Sequence, residues 1–323
     1  MNDYNLKIII SFIFSFVVSF MLIPFLIKYL KGINANQRVS EYALKEFKAK
    51  NQTPIMGGLI FVFIPLFTMI IINYKEFINY ESLLIFSFFI LFSLIGFIDD
   101  YLIVVKNNNN GLSPKLKLIL QILITVIIYF SFNKAFSNEL YIPILKVFIP
   151  LGIYYLPFMI FMFCAESNAT NFTDGMDGLL AGVSIIALIP YLIIAYNENR
   201  IEIVLILVSI LASLIAYLAY NKFPAKIFMG DVGSLALGAL FSIISILLKM
   251  ELVLIIIGGV FVWEIASVVI QIFWVKVFKK RIFLYTPIHY SFKKRGLSEQ
   301  KVVSLFYAVA IVLAIVGYLI ALL

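Results

Sequence analysis

The sequence predicts an all-α integral membrane protein with about ten transmembrane helices in one polytopic domain, residues 1–323. Hydrophobic residues make up 63% of the chain and charged residues only 13%, whereas soluble domains carry about a quarter charged residues. The mean hydropathy of +1.07 agrees with this composition. The apolar residues also fall into runs long enough to cross a bilayer, which is typical of multi-pass membrane proteins.

Ten apolar runs of spanning length follow one another along the chain. They cover residues 8–29, 55–73, 82–98, 116–132, 147–165, 179–196, 201–220, 234–249, 252–278 and 302–323. The first run is too long for a cleaved signal and lacks a small-residue cleavage site, so it is interpreted as a transmembrane helix. The fifth contains Pro150 and Pro157, and the ninth is long enough to tilt or bend.

Lysine and arginine residues set the orientation of these spans. Loops at residues 28–54, 99–117, 221–233 and 276–301 hold 19 of the 25 basic residues, and the opposite side holds six. By the positive-inside rule the basic loops are cytoplasmic, so both termini face away from the cytoplasm. Membrane topology therefore accounts for the net charge of +8, and no nucleic-acid partner is expected.

Five of the six aspartates fall on the predicted cytoplasmic face. Asp99 and Asp100 end the third run, Asp174 and Asp177 precede the sixth, and Asp231 precedes the eighth. Surface solubility does not explain such a one-sided distribution, whereas a cytoplasmic carboxylate cluster does. Each pair also has a plain structural interpretation as a solvated helix end or a cap.

The polar stretch NATNFTDGMDG (168–178) lies between two apolar runs and predicts a membrane–water boundary. Its aspartates, Asp174 and Asp177, are three residues apart and precede an apolar helix. This spacing predicts a helix start with Asp174 as N-cap and both carboxylates on one face. Glu264, inside the ninth run, is an intramembrane carboxylate and is expected to be functional or paired.

A carboxylate cluster at this depth suits Mg²⁺ with phosphate oxygens as further ligands. The sequence has no zinc-type Cys/His spacing, no Walker A motif and no GxGxxG. Asp99 and Asp100 point about 100° apart on a helix, so one can accept a proton while the other orients metal or backbone. Nearby lysines could balance a polyphosphate: Lys50, Lys115, Lys117 and Lys226. The pattern predicts phosphoryl transfer onto a lipid.

Six stretches, in order from the second run to the tenth, carry a family resemblance. They are TPIMGG (53–58), GFIDDYL (96–102) with GLSPKLK (111–117), NATNFTDGMDGL (168–179), FPAKIFMGDVGSLALG (223–238), FVWEIASVVIQ (261–271) and PIHYSFKKRGLSEQKVV (287–303). With these motifs the chain resembles the phospho-N-acetylmuramoyl-pentapeptide transferases (the MraY group). That group lies within the polyprenyl-phosphate N-acetylhexosamine-1-phosphate transferase family.

The resemblance implies a Mg²⁺-dependent enzyme of the bacterial plasma membrane with its active site on the cytoplasmic face. The implied reaction transfers phospho-MurNAc-pentapeptide from UDP-MurNAc-pentapeptide to undecaprenyl phosphate. It yields lipid I and UMP, in the first membrane step of peptidoglycan synthesis. A homodimer in the lipid bilayer, common in the resembled group, is a further expectation.

Residue roles follow from the same resemblance. Asp231 would be the Mg²⁺ ligand or, in a two-step scheme, the nucleophile. Asp99 would take the proton from the lipid phosphate, and Asp100 would support that site. His289 is the fourth residue implied for catalysis. Phe228 would stack on uracil. The full set implied for substrate binding is Lys50, Lys115, Asn168, Asn171, Asp174, Gly175, Asp177, Asn221, Phe228 and Gln271.

One stretch departs from the resembled pattern, which usually has three consecutive histidines followed by Phe and Glu. Here residues 289–293 read HYSFK, so only His289 is kept and a base replaces the acid. This departure favours an alternative donor, UDP-GlcNAc, whereas TPIMGG and SEQKVV favour the muramoyl donor. A lipid or nucleotide-sugar transporter is a further alternative, although such carriers place their site near the midplane between repeated halves.

Overall fold

The structure is a computed structural model that describes residues 3–36, 52–106 and 110–323. Lys50 lies outside these ranges. Within them the chain forms the helices α1 (Asp3–Gly32), α2 (Leu59–Ile72), α3 (Tyr74–Phe77), α4 (Tyr80–Lys106), α5 (Pro114–Ser131), α6 (Tyr155–Thr173), α7 (Leu179–Asn197), α8 (Ile201–Asn221), α9 (Asp231–Leu247), α10 (Glu251–Ile257), α11 (Gly259–Phe278), α12 (Ile288–Lys294) and α13 (Glu299–Ala321). Two strands, β1 (Glu139–Ile142) and β2 (Val147–Pro150), form an antiparallel hairpin.

Each of the ten apolar runs contains a helix, so the all-α membrane class holds with the hairpin as its exception. Seven of the described helices are long and apolar enough to cross a membrane, namely α1, α4, α5, α7, α8, α11 and α13. Helices α2 and α9 are shorter apolar helices. The ninth run is divided at Gly258 into α10 and α11, in keeping with its length.

The fifth run differs from the prediction because its first residues are not helical. Residues 147–150 pair with β1, and helix α6 begins only at Tyr155. Pro150 ends the second strand, and Pro157 lies in the first turn of α6, where a missing N–H leaves no intrahelical bond unmade. The two prolines therefore mark the boundary between hairpin and helix.

Helix α9 lies at the centre of the bundle, where every residue from Val232 to Ile246 is buried. It packs most extensively against α4 and α6. The sequence explains this closeness, because small residues let backbones approach in membrane helices. Gly96 of α4 contacts the first turn of α9 so closely that a Cβ there would overlap the carbonyl oxygen of Asp231. In the same way, Gly182 of α7 accommodates the ring of Tyr307 from α13.

The two ends of the bundle differ in their charged groups. At the end where α4 begins, Arg200 pairs with Glu81 at 2.6 Å and Lys7 pairs with Glu76 at 2.6 Å. Asp99, Asp100 and Asp231 lie at the opposite end, where α4 ends and α9 begins. Eighteen residues separate Glu81 from Asp99 along α4, which corresponds to about 27 Å of helix.

Candidate active site

Three aspartates from two helices meet at one end of the bundle. Asp99 and Asp100 lie near the end of α4, and Asp231 is the first residue of α9. Each offers a carboxylate oxygen within 4.8 Å of the other two. The close α4–α9 packing at Gly96 creates this arrangement, because it fixes the start of α9 beside the last turns of α4. These three residues are called the three-aspartate cluster below.

Asp100 holds the start of α9. Its Oδ1 accepts a hydrogen bond from the backbone N–H of Asp231, and its Oδ2 accepts one from that of Val232, each at 3.2 Å. A carboxylate at a helix N-terminus satisfies otherwise unbonded N–H groups and complements the helix dipole. Gly230, at φ +73°, has no side chain to collide with the Asp100 carboxylate. Of the two roles expected for the adjacent aspartates, Asp100 therefore has the backbone-orienting one.

Asp99 faces a different set of donors. Its Oδ1 accepts a hydrogen bond from the backbone N–H of Leu112 at 2.7 Å and lies 3.2 Å from the Lys117 ammonium. Gly111 passes directly beside this carboxylate, with no room for a Cβ. Leu112, the backbone donor to Asp99, precedes α5, so within the described residues Asp99 does not cap a helix as Asp100 does.

Lys117 joins the two helices electrostatically. Its ammonium lies 2.5 Å from Asp231 Oδ2 as well as 3.2 Å from Asp99 Oδ1. Lys115, which the resemblance places beside the phosphates, is exposed. Two residues apart on α5, these lysines point in different directions. The sequence predicted Lys117 only as one of several nearby cations. The helical spacing in GLSPKLK does indicate that only one of Lys115 and Lys117 can face the cluster.

Asp231 is oriented from α6. Asn171 donates from Nδ2 to Asp231 Oδ1 at 2.6 Å and to Ser234 Oγ at 2.9 Å. Thr170 donates to the backbone carbonyl of Ser234 at 2.8 Å. The polar residues of α6 thus bind the first turn of α9, and the two oxygens of Asp231 face an amide and an ammonium.

Asp174 and Asp177 depart from the predicted helix start. Asp174 follows the last residue of α6, and its backbone N–H bonds to the carbonyl of Asn171, so it ends a helix. The next helix begins at Leu179, with Gly178 at the N-cap position. The N-cap prediction is wrong because tertiary contacts keep Thr170 and Asn171 helical despite their polar side chains.

Asp177 and Asn221 secure the loop between α8 and α9. Asp177 Oδ2 accepts from the backbone N–H of Ala225 at 2.9 Å. Asn221 accepts from Gly178 N–H at 3.1 Å and donates to the carbonyl of Ile227 at 2.9 Å. Both side chains are buried. They hold the segment that carries Phe228.

The TPIMGG segment pairs with this same loop. Phe228 N–H donates to the carbonyl of Pro54, and Gly57 N–H donates to the carbonyl of Phe228, both at 2.8 Å. Gly58 N–H donates to the carbonyl of Met229 at 2.9 Å. The half-buried ring of Phe228 is therefore presented by a backbone fixed on both sides, three residues before the first residue of α9.

His289 of α12 lies against Glu264 of α11. Both side chains are fully buried, and His289 Nδ1 is 3.1 Å from Glu264 Oε2. The other imidazole nitrogen faces Gly175, and Tyr290 donates to the Gly175 carbonyl at 3.2 Å. Burial raises the pKa of the Tyr290 phenol, with the nearby carboxylates of Glu299, Asp174 and Glu264 adding to the effect, so it remains a donor. Glu264 therefore lies within ion-pair distance of His289, but neither side chain makes a hydrogen bond within the described part of the chain.

We expect Glu264→Ala to lower the free energy of unfolding by about 3–5 kcal/mol, because it leaves the buried imidazole of His289 without its partner. Thermal unfolding in detergent measures this effect. Glu264→Leu combined with His289→Leu should recover part of the loss, since a buried apolar pair avoids unpaired charge. Glu76→Ala is the control, because its partly exposed pair contributes at most about 1 kcal/mol. Equal unfolding temperatures for Glu264→Ala and the parent protein would contradict the pairing.

Two further residues implied for substrate binding have structural partners. Asn168 donates to Gln121 Oε1 at 3.1 Å and to the carbonyl of Cys164 at 2.7 Å, which turns it towards α5. Gln271 Oε1 accepts from the backbone N–H groups of Ile282 and Phe283 at 3.1 and 3.0 Å. These bonds fix the loop after α11.

Comparison with known proteins gives a consistent result. Residues 82–249, which include Asp99, Asp100, Asn171 and Asp231, match the family described as glycosyl transferase family 4.

Three relatives are named phospho-N-acetylmuramoyl-pentapeptide-transferase. One, from Geobacillus sp. (strain WCH70), is 38% identical over 97% of this chain and 96% of the relative. Another, from Staphylococcus aureus (strain bovine RF122 / ET3-1), is 44% identical over 92% of the chain and 94% of the relative. A third, from Staphylococcus epidermidis, is 42% identical with the same coverage.

Proposed function

Since the chain belongs to glycosyl transferase family 4 and, within it, to the phospho-N-acetylmuramoyl-pentapeptide transferases, we propose that the three-aspartate cluster is its catalytic centre. The enzyme transfers phospho-MurNAc-pentapeptide to undecaprenyl phosphate in peptidoglycan synthesis. The single observation that carries the assignment is the meeting of Asp99, Asp100 and Asp231 within 4.8 Å at one end of an apolar bundle. The transporter alternative does not hold for a member of this transferase family.

The proposed topology has ten spans in the bacterial plasma membrane, with both termini outside and the cluster on the cytoplasmic side. Its support is the charge distribution, because the loops beside the cluster carry most of the basic residues. A nucleotide-linked donor comes from the cytosol and the lipid phosphate from the leaflet. The end of α4 is where both could meet. A homodimer is part of the proposal as a property common in the group.

The donor set of the cluster fits Mg²⁺. Carboxylate oxygens are the ligands this ion prefers, and the three aspartates supply them from two helices. The Lys117 ammonium, placed between Asp99 and Asp231, shows that the cluster accommodates positive charge. Asp231 would hold the ion with the neighbouring aspartates. Bound there, Mg²⁺ would supply charge neutralisation to the donor's diphosphate and to the UMP leaving group.

Proton transfer, positioning and phosphate contact are assigned to side chains of the protein. Asp99, which caps no helix, is proposed to accept the proton of the lipid phosphate, whose oxygen then attacks the β-phosphorus of the donor and displaces UMP. Asp100 keeps the start of α9 in place, and Asn171 orients Asp231. Lys117 is placed to contact the phosphates once they enter.

The nucleotide side is proposed to lie along the segment that TPIMGG and the α8–α9 loop build together. Phe228 would stack on uracil, and Asp177 with Asn221 would act by fixing the loop behind it. Gly175, whose carbonyl accepts from Tyr290 and which His289 contacts, would position the loop between α6 and α7 for the donor. The other members proposed for the donor site are Lys50, Lys115, Asn168, Asn171, Asp174 and Gln271.

Removal of divalent cations is expected to abolish turnover, because three carboxylates would otherwise repel an approaching diphosphate. UMP release from purified enzyme is measured with EDTA, and then with Mg²⁺ added back in excess. Full activity in EDTA would contradict the proposed ion. Far-UV circular dichroism in EDTA controls for loss of structure.

The donor is tested with purified enzyme, undecaprenyl phosphate and Mg²⁺ by offering UDP-MurNAc-pentapeptide and UDP-GlcNAc in separate reactions. UMP released from the muramoyl donor alone is the expected result, and it would show that His289 suffices without the two following histidines. UMP released from UDP-GlcNAc alone would contradict the assignment. Release from neither would contradict it as well.

A further inference from the structure

Seven basic side chains and no acidic one lie between Glu264 and Glu299 in the sequence. They are Lys276, Lys279, Lys280, Arg281, Lys293, Lys294 and Arg295. These seven residues are called the basic cluster below. Six of them form the triplets KKR (279–281) and KKR (293–295), at the ends of α11 and α12, and Lys276 lies in the last turn of α11. None of them has a role in the proposed catalytic centre.

Tyr285 brings the two triplets together. The Arg281 guanidinium lies 5.9 Å from the centroid of the Tyr285 ring, and the Lys294 ammonium lies 5.8 Å from the same centroid. Cations at this distance are attracted to an aromatic ring. One half-buried ring thus holds a cation from each triplet, although 13 residues separate them in the chain.

The loop that carries these charges is fixed. Gln271 accepts hydrogen bonds from two backbone N–H groups at its start, Ile282 and Phe283. Ser291 accepts from the Tyr285 N–H at 3.0 Å and donates to the Tyr285 carbonyl at 2.5 Å. The folded loop therefore keeps a cation of each triplet beside one ring, and such a concentration of like charges costs free energy unless anions neutralise it.

Apolar side chains surround the basic cluster. Phe273, Val277 and Phe278 at the end of α11 are at least half exposed, and Ile282 and Leu284 of the loop are about half exposed. Helix α11 is long and apolar enough to cross a membrane, so the cluster lies at the end of a candidate membrane-spanning helix. Exposed apolar residues beside clustered cations fit the boundary of a bilayer rather than bulk water.

We propose that the basic cluster binds the head groups of anionic phospholipids in the leaflet at this end of the protein. Four to eight Lys and Arg residues next to a membrane helix are the recognised sequence pattern for such lipids. Lipid phosphates would neutralise the positive charge that the Tyr285 contacts gather from the two triplets. The proposed ligands are the phospholipids of the surrounding leaflet and not the lipid substrate, so the binding is independent of the proposed catalytic chemistry.

Trp274 offers a local probe, because it lies one turn before Phe278 and packs on its ring at 4.2 Å. The only other tryptophan is Trp263, so Trp263→Phe leaves a single reporter. The protein is reconstituted in vesicles of phosphatidylcholine with tail-brominated phosphatidylglycerol, or with tail-brominated phosphatidylcholine. Stronger Trp274 quenching by the anionic lipid is the expected result, and the preference should fall as salt increases.

The test variant is Arg281→Gln with Lys294→Gln, and the matched control is Lys28→Gln with Lys31→Gln. Each removes two exposed cations, the second pair from the end of α1. The first variant should lose anionic-lipid preference by about fivefold per charge, and the control should keep it. Equal quenching by both lipids in the parent protein would overturn the proposal. A raised donor KM with unchanged lipid preference would also overturn it, by assigning these cations to the donor.

Discussion

Asp231→Asn is expected to lower the rate of UMP release by at least about 10³-fold, while the protein stays inserted and folded. Asp231 is the first residue of α9 and offers one oxygen to Asn171 and the other to Lys117. An amide of the same shape keeps one acceptor but presents N–H donors to an ammonium and removes the charge proposed to hold Mg²⁺. The loss should therefore appear in kcat and not only in the donor KM.

The control for this variant is Glu76→Gln, which removes a carboxylate at the opposite end of the bundle. Its pair with Lys7 has no contact with the three-aspartate cluster, so turnover should be unchanged. Near-parental activity of Asp231→Asn would refute the catalytic assignment, whereas a shifted unfolding temperature would indicate a structural effect. Both variants are compared by thermal unfolding in detergent before their rates are interpreted.

Gly96→Ala is expected to lower turnover by about 10²-fold and to destabilise the protein by about 1–3 kcal/mol. The added methyl group would overlap the carbonyl of Asp231, which lies in the interface between α4 and α9. Relief of this overlap requires the two helices to separate. Because the cluster is divided between them, the separation moves Asp231 away from Asp99 and Asp100.

Gly32→Ala is the matched control, since a Cβ at the end of α1 would meet no atom of the described residues outside its own helix within 4 Å. Its activity and unfolding temperature should equal those of the parent protein. Unchanged activity of Gly96→Ala would contradict the view that the α4–α9 contact sets the geometry of the cluster. A loss of stability without loss of activity would contradict it as well.

Long apolar runs made the helices predictable, because length and hydropathy alone distinguish a spanning helix. The same reasoning failed at the fifth run, where an apolar tetrapeptide from Val147 forms a strand. Hydrophobicity does not distinguish a strand from a helix segment over so few residues. The pairing strand, Glu139–Ile142, whose residues precede their partners by five to eleven positions, decides the outcome.

Charge and topology predicted a cluster of five aspartates, of which Asp99, Asp100 and Asp231 meet within 4.8 Å, but the individual contacts could not be predicted. Lys117 rather than Lys115 faces the cluster because of how α5 rotates against its neighbours, which the local sequence does not specify. Asp174 ends a helix because Asn171, one turn earlier, has a partner on α9. Such tertiary partners override local propensity and are invisible in a single sequence.

The capping of α9 by Asp100 has a consequence for biosynthesis. Asp100 precedes Asp231 by 131 residues. At 5–20 residues per second, a ribosome therefore adds Asp231 roughly 7–26 s after Asp100. During that interval the carboxylate that later holds the start of α9 has neither of its two backbone donors. The growing chain must keep this carboxylate in water or against the insertion apparatus until α9 has been synthesised.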